Sequence, residues 1–427
     1  MGNNLELFLK CDISGIQSFI FNVPSKGAAK ALKKRSIYVE DISKNCLHEL
    51  NDFFKEDTLE ELYNGGGNFY LDISTQKSKK EIENKIENIQ NLYLKSDIFP
   101  YISFVEKSNE EIGYLLKEIN RTVQKKKMQR PISYDLIDAT PVTVPDFDIN
   151  EIKGVNGQVP RGDFSWIAEN AVGDKKLAAI KLDVDNLGSL FMGLSKTDYQ
   201  KLSQAIKDFF DDRLLGLIRN LKMQDNIYVV FSGGDDCFMI GSWNHIFDLA
   251  VQLRKEFSTF QEKIKKEISS LPKEPITFSA GIVVFTPHYP LLQVSEEVES
   301  SLSKSKMAVG KNSVTIFGKT LTWNEFEIAQ NLSKTLSDLI ENKKESKSLL
   351  MIFRSVYPIK NELPKVWRLK YFLRRNVQTS NLDEVKTILN GYEQALLFRY
   401  INKNNNNPDV YLVASRWAEL LMKESIE

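Results

Sequence analysis

Cysteine and histidine are both scarce, with three of each in 427 residues. Cys11, Cys46 and Cys237 form no CxxC pair, which argues against a zinc knuckle and against a disulfide framework. None of His48, His245 and His288 stands beside an aspartate, so a His-Asp metal-hydrolase centre is not available. Charge of one sign is missing too: 57 Lys and Arg face 57 Asp and Glu, so any nucleic-acid surface has to be local. No apolar run is long enough to span a bilayer and no signal peptide is evident, which makes the cytoplasm the expected location and a membrane partner unexpected.

What remains is a globular composition, 42% hydrophobic and 27% charged, over a length that calls for two or three domains. Residues 5–12 read as a strand ending at Asp12, and 29–54 carry apolar residues at helical spacing. Residues 62–74 form a hairpin around NGGGN (64–68), a turn that glycines make easily. An amphipathic helix over 78–97, with Ile82, Ile86, Ile89 and Leu92 on one face, leads to a strand at 101–107. The order returns from 176: a strand ending in acids (175–188), a long helix (194–221), a hairpin (228–241), a helix (245–269) and a strand (276–285). A helix over 291–307 and a strand-like stretch at 311–318 follow.

Asp12 thus corresponds to Asp183, and NGGGN to SGGDD (232–236). The pattern predicts an α+β chain built on a duplicated βααββαβ unit, each a ferredoxin-like antiparallel sheet with helices on one face. The expected domains are 1–107 and 176–322, joined by a Pro- and Gly-punctuated linker at 108–175 and followed by a helical C-terminal domain at 323–427. The linker's basic run, 121–131, reads as a solvated helix face. The C-terminal part is locally basic around Arg368, Lys370, Arg374 and Arg375, and NKNNNNP (402–408) must be a loop.

In such a sheet the first strand lies beside the hairpin, so Asp183, Asp235 and Asp236 converge on one edge. Adjacent carboxylates repel unless a cation neutralises them, and hard oxygen ligands suit Mg²⁺ or Mn²⁺. Two such ions would activate a ribose hydroxyl and stabilise a leaving pyrophosphate. Strand alternation makes Asp235 and Asp183 the expected primary ligands, with Asp236 supporting or sharing the second ion. Gly233 and Gly234 let a base or phosphate approach the backbone, while Ser14 and Ser232 are candidate nucleotide contacts. Lys306 and Lys311 flank Gly310 within reach of triphosphate oxygens. Taken singly, GGDD also fits a solvated turn and each lysine a surface lysine; Asp183 and the duplication carry the metal reading. The first turn has no acid, so Asp12-Ile13-Ser14-Gly15 is expected to hold a nucleotide without doing chemistry. Ser279-Ala280-Gly281 reads as a site of close helix packing or a bulge, not a ligand contact.

DISGIQSFIF (12–21), SKGAAKALKKRSIYVE (25–40), GGGNFYL (65–71), LDVDNLG (182–188), FSGGDDCFMIG (231–241) and KNSVTIFGKTLTWNEF (311–326) occur in that order. Together they resemble the large polymerase/cyclase subunit of type III CRISPR–Cas effector complexes, in its Csm (III-A) branch. The resemblance implies two palm domains face to face, the GGDD palm catalytic and the other holding a second ATP at Ser14 and Gly15. It implies that Asp183, Asp235 and Asp236 are the metal and catalytic acids and that Lys306 and Lys311 contact phosphate. It further implies cyclic oligoadenylate synthesis from ATP within an antiviral complex of other effector subunits and CRISPR RNA, switched on by target RNA. Two departures follow: no His-Asp nuclease domain precedes the first palm, so no DNase activity is expected, and three scattered cysteines cannot build the family's four-cysteine zinc site. Competing readings are a diguanylate-cyclase-like enzyme, which shares the Gly-Gly-acidic turn, and a catalytically silent ribonucleoprotein scaffold. For the scaffold, the basic patches at 121–130 and 354–375 would matter most.

Overall fold

The structure, a computed structural model, describes residues 4–24, 27–94, 96–107, 112–129, 164–342, 344–355, 382–401 and 407–422. The basic cluster at 368–375 and most of the Asn-rich tract lie outside the described residues.

The first unit runs β1 (Leu5–Ser14), α1 (Ile16–Phe21), α2 (Ala28–Phe53), β2 (Thr58–Gly65), β3 (Asn68–Thr75), α3 (Lys79–Asn91) and β4 (Phe99–Glu106). Its antiparallel sheet has the order β2-β3-β1-β4, with β1 central. Alternation along β1 sends Leu7, Leu9, Cys11 and Ile13 into one core with Leu32, Val39 and Ile42 of α2 and Ile82, Ile86 and Ile89 of α3. A capping box of Ser78 and Glu81 starts α3. Helix α4 (Ile112–Met128) then packs back on β4 and β1. It occupies the stretch expected to be linker; Arg121, Lys125 and Lys126 of its basic run are exposed, as a solvated face requires, while Lys127 turns in to the Asp12 carboxylate.

The second unit comprises α5 (Phe164–Glu169), β5 (Leu177–Val184), α6 (Leu187–Met192), α7 (Lys196–Asp208), a π turn (Phe209–Arg213), α8 (Leu214–Asn220), β6 (Ile227–Gly233) and β7 (Asp236–Ser242). It continues through α9 (Trp243–Glu267), β8 (Phe278–Phe285), α10 (Leu291–Met307), β9 (Ser313–Ile316) and β10 (Lys319–Thr322). The expected single helix over 194–221 is interrupted because the widened π turn lets adjacent Phe209 and Phe210 both enter the core, where each meets Phe257. The sheet is not wholly antiparallel as expected: its order is β10-β9-β8-β5-β7-β6, and the α10 crossover returns β9 parallel to β8.

Helices α11 (Trp323–Glu341), α12 (Ser348–Ser355), α13 (Asp383–Ile401) and α14 (Asp409–Met422) follow. They share the second unit's core instead of forming one of their own. Trp417 of α14 lies 4.6 Å from Phe247 of α9 and 5.3 Å from Phe326 of α11. Among the described residues no helix is long and apolar enough to cross a membrane.

The two units embrace reciprocally. From the first, Phe21 packs against Phe238 with tilted rings 4.6 Å apart, and Tyr228 of β6 donates to the Ala29 carbonyl of α2. From the second, α7 lies along β2 and α6 along α4, with the Met192 carbonyl where a side chain on Gly113 would stand.

Candidate active site

β5 and β7 pair so that Asp183 lies directly opposite Asp236. Cross-strand partners project to the same face, so these two carboxylates stand side by side. The expected priority of Asp235 over Asp236 rested on strand alternation. Asp235 is in the turn before β7 begins, so strand alternation does not govern it. Its backbone carbonyl accepts from Val184, which fastens the turn to the end of β5.

Burial, then the Asp183 charge, pushes Asp235 up to about 6. Burial and the Asp235 charge push Asp236 up to about 7 against the pull of Lys181. Asp183 is also raised by burial, although Lys306 pulls it down. Lys306 reaches Asp183 at 2.5 Å from the last turn of α10, and Lys181 reaches Glu299 of the same helix at 2.6 Å and Asp236 at 3.9 Å. The donor set, three carboxylates burdened by each other's charge, fits a hard divalent cation. Lys306 now holds Asp183, and among the described residues no three acidic, His or Cys side chains are gathered closely enough to hold an ion.

The other expected residues fall around this edge. The Ser232 hydroxyl donates to the Phe210 carbonyl at the π turn. Lys311, on a left-handed backbone after Gly310, bonds the Asn186 amide oxygen at 2.7 Å. Ser14 and Gly15 close β1 of the first unit; Gly15 has φ +85°, and a Cβ there would lie 2.7 Å from the Asp97 carbonyl. They are not beside the three acids, but the next helical turn is connected: Gln17 donates to Glu299 at 3.2 Å.

The two glycine turns meet. A Cβ on Gly65 would lie 2.8 Å from the Gly234 nitrogen, and one on Gly66 3.3 Å from the Gly233 carbonyl and 3.9 Å from an Asp236 carboxylate oxygen. Tyr63 caps the contact: its hydroxyl lies 2.0 Å from where a Gly234 Cβ would be, and burial with the Asp235 and Asp236 charges holds its proton on. Beside the turns a cavity of about 340 Å³ runs between α2 and β6 and reaches Asp236.

The first unit repeats the lysine arrangement. Lys127 holds Asp12 at 2.7 Å as Lys306 holds Asp183, and Lys10 bonds Asn120 at 2.8 Å as Lys181 bonds Glu299. Opposite Asp12 stands Asn68 in place of Asp236, its buried side-chain oxygen without a partner. Asp185 escaped the sequence reading: it is buried and accepts from Thr277, Ser279 and the Asn312 nitrogen, pinning the Lys311 loop to β5. Lys181 and Glu299 escaped it too, though Lys181 shares the alternation of Asp183 and Glu299 stands two helical turns before Lys306.

Comparison with known proteins agrees with this architecture. Residues 176–315 match the Cas10/Cmr2 second palm domain and residues 5–138 the Csm1 subunit domain B. A single-strand-specific deoxyribonuclease Cas10/Csm1 (subtype III-A) of Streptococcus thermophilus is 22% identical over 502 residues, covering 88% of this chain. The chain spans 63% of that relative's length. A Csm1–Csm4 cassette solved with pppApApA superposes with TM-score 0.74 at 20% identity, over 98% of this chain and 70% of that one. A Csm1–Csm4 cassette solved with cA4 does so with TM-score 0.72 at 18% identity, over the same shares. With both palms matched and the acid hairpin in its place, the chain belongs to the Cas10/Csm1 family of type III-A CRISPR systems.

Proposed function

We propose that the chain is a nucleotidyltransferase that joins ATP into cyclic oligoadenylates at the second palm, as the target-RNA-activated signalling subunit of a type III complex. The observation that carries this is Asp183 opposite Asp236, with Asp235 in the adjoining turn and that turn closed against the glycines of the other palm. Such a cleft holds two nucleotides with their reacting ends together, and proximity supplies much of the rate. Divalent cations at the three acids would activate the attacking ribose hydroxyl and stabilise the departing pyrophosphate. Lys306, released from Asp183, would turn to a phosphate oxygen, and Lys311 would flank the triphosphate. Gly233 and Gly234 leave room for phosphate against the backbone. Ser14 and Gly15 belong to the corner that holds the second ATP. Relatives solved as Csm1–Csm4 cassettes with pppApApA and with cA4 support this choice of substrate and product, and make a Csm4-type subunit the expected neighbour.

The test is Asp235→Ala with Asp236→Ala in the assembled complex. Assembly and RNA binding should survive while nucleotide product disappears; product that persists defeats the assignment. Product from GTP and none from ATP would instead favour a diguanylate-cyclase-like activity. One observation favours a second reading, a scaffold whose acids are silent in isolation: Lys306 and Lys181 already engage Asp183, Asp236 and Glu299. The chain assayed alone and within the complex separates the two.

A further inference from the structure

Lys181 has one ammonium and two carboxylates within reach. It is 6% exposed on β5, bonds Glu299 of α10 at 2.6 Å and stands 3.9 Å from Asp236. A buried ammonium without a partner is costly, so a Lys181 released by Glu299 would close on Asp236. That would neutralise one of the carboxylates a divalent cation needs. Glu299 therefore decides how free Asp236 is.

The duplicated unit shows how Glu299 is kept in place. Helices α4 and α10 are both 17 residues long, and Asn120 precedes Lys127 by the interval that separates Glu299 from Lys306. In the first palm Lys10 lies opposite Tyr70, whose hydroxyl donates to the Asn120 side chain at 3.1 Å. The helix residue is thus held from within its own palm. In the second palm Lys181 lies opposite Phe238, which has no hydroxyl to offer. The donor comes instead from across the interface: Gln17 of α1 bonds Glu299 at 3.2 Å, on the same Oε2 that Lys181 holds. Glu299 is partly exposed, so without Gln17 its carboxylate is freer to turn to solvent and let Lys181 go.

We propose that Glu299 is a positioning residue that keeps Lys181 off Asp236, and that Gln17 holds Glu299 there, so that the first palm controls how tightly the second binds a divalent cation. Closure of the palms sets Gln17 on Glu299; a shift of α1 away from α10 lets Lys181 compete with the cation. This rests on the nucleotidyltransferase reading above and adds a regulation of the same site.

Mn²⁺ binding to the full chain is measured by calorimetry and by the paramagnetic resonance of free Mn²⁺. The proteins compared are the wild type, Glu299→Gln, Lys181→Met, these two combined, and Gln17→Leu with and without Lys181→Met. Glu299→Gln should weaken Mn²⁺ binding about tenfold where Lys181 is present and less than about twofold in the Lys181→Met background. A lost negative charge acting at a distance, or a general loosening of α10, gives equal losses in both backgrounds, and that result overturns the proposal. Gln17→Leu should weaken binding about threefold, again only where Lys181 is present. Unchanged affinity in Gln17→Leu overturns the control by the first palm. A wild type that binds no Mn²⁺ defeats the nucleotidyltransferase reading itself, an outcome distinct from equal losses. If Lys181→Met fails to fold, Lys181→Gln carries the same comparison.

Discussion

Asp235 and Asp236 keep their protons to about pH 6 and 7 in the folded chain, whereas an unfolded chain releases them near pH 4. The folded state therefore binds more protons across that interval, and the site's contribution to stability falls as pH rises through it. Asp235→Asn with Asp236→Asn should melt higher than the wild type at pH 8 without metal and equally near pH 4. Added Mn²⁺ should stabilise only the wild type; a thermal-shift series over pH and metal checks both. Lys306→Met should lower turnover about a hundredfold, because it removes the partner of Asp183 and, under the proposed reaction, a phosphate contact with it. Lys311→Met should cost less, since Lys311 bonds Asn186 and would flank the triphosphate without holding an acid in place. The acids were legible because Asp183 ends a strand and Asp235 and Asp236 fill a turn. Glu299 and Lys181 were not, because their meeting depends on where α10 lies over β5, which no local pattern records.

At the scale of elements, α10 is the part that aims Lys306 and Glu299, and Gly281 sets how closely it sits. A Cβ there would stand 2.4 Å from the Leu302 nitrogen and 2.5 Å from the Val298 carbonyl. Gly281→Ala should thus lift α10 from β8 and reduce turnover, while thermal melting shows a fold that persists at lower temperature. The sequence reading of Ser279-Ala280-Gly281 as a packing site agrees with this geometry. Gly65→Ala makes a sharper case, because it lies in the palm whose turn carries no acid. Its Cβ would press on Gly234, so product formation should drop although no acid has changed. Hairpins and amphipathic helices were readable from period and glycine placement. The π turn was not, because it answers to two adjacent phenylalanines competing for one core. Nor was the membership of α4, whose Lys127 looks like solvent-facing charge until Asp12 is set beside it.

For the whole molecule, duplication was visible in the repeated order of strands and turns, while the shared core of the second palm and the C-terminal helices was not. Trp417 meets Phe247 across about 170 residues of chain, beyond the reach of any periodicity. The palms hold each other through Phe21 on Phe238, and Phe21→Ala should cost about 3–5 kcal/mol. Calorimetry should then resolve two unfolding transitions in place of one. Duplication also raises a matter of direction. A cleft made from two copies of one unit has no built-in sense of forward, and two nucleotides held across it could react either way round. Here two positions break the tie: Gly67 and Asn68 stand in the first turn where Asp235 and Asp236 stand in the second, among otherwise matching lysines. Two carboxylates carried by one turn and absent from the other give the cleft a polarity, and under the proposed reaction bonds would form at one end, from which the growing chain would advance.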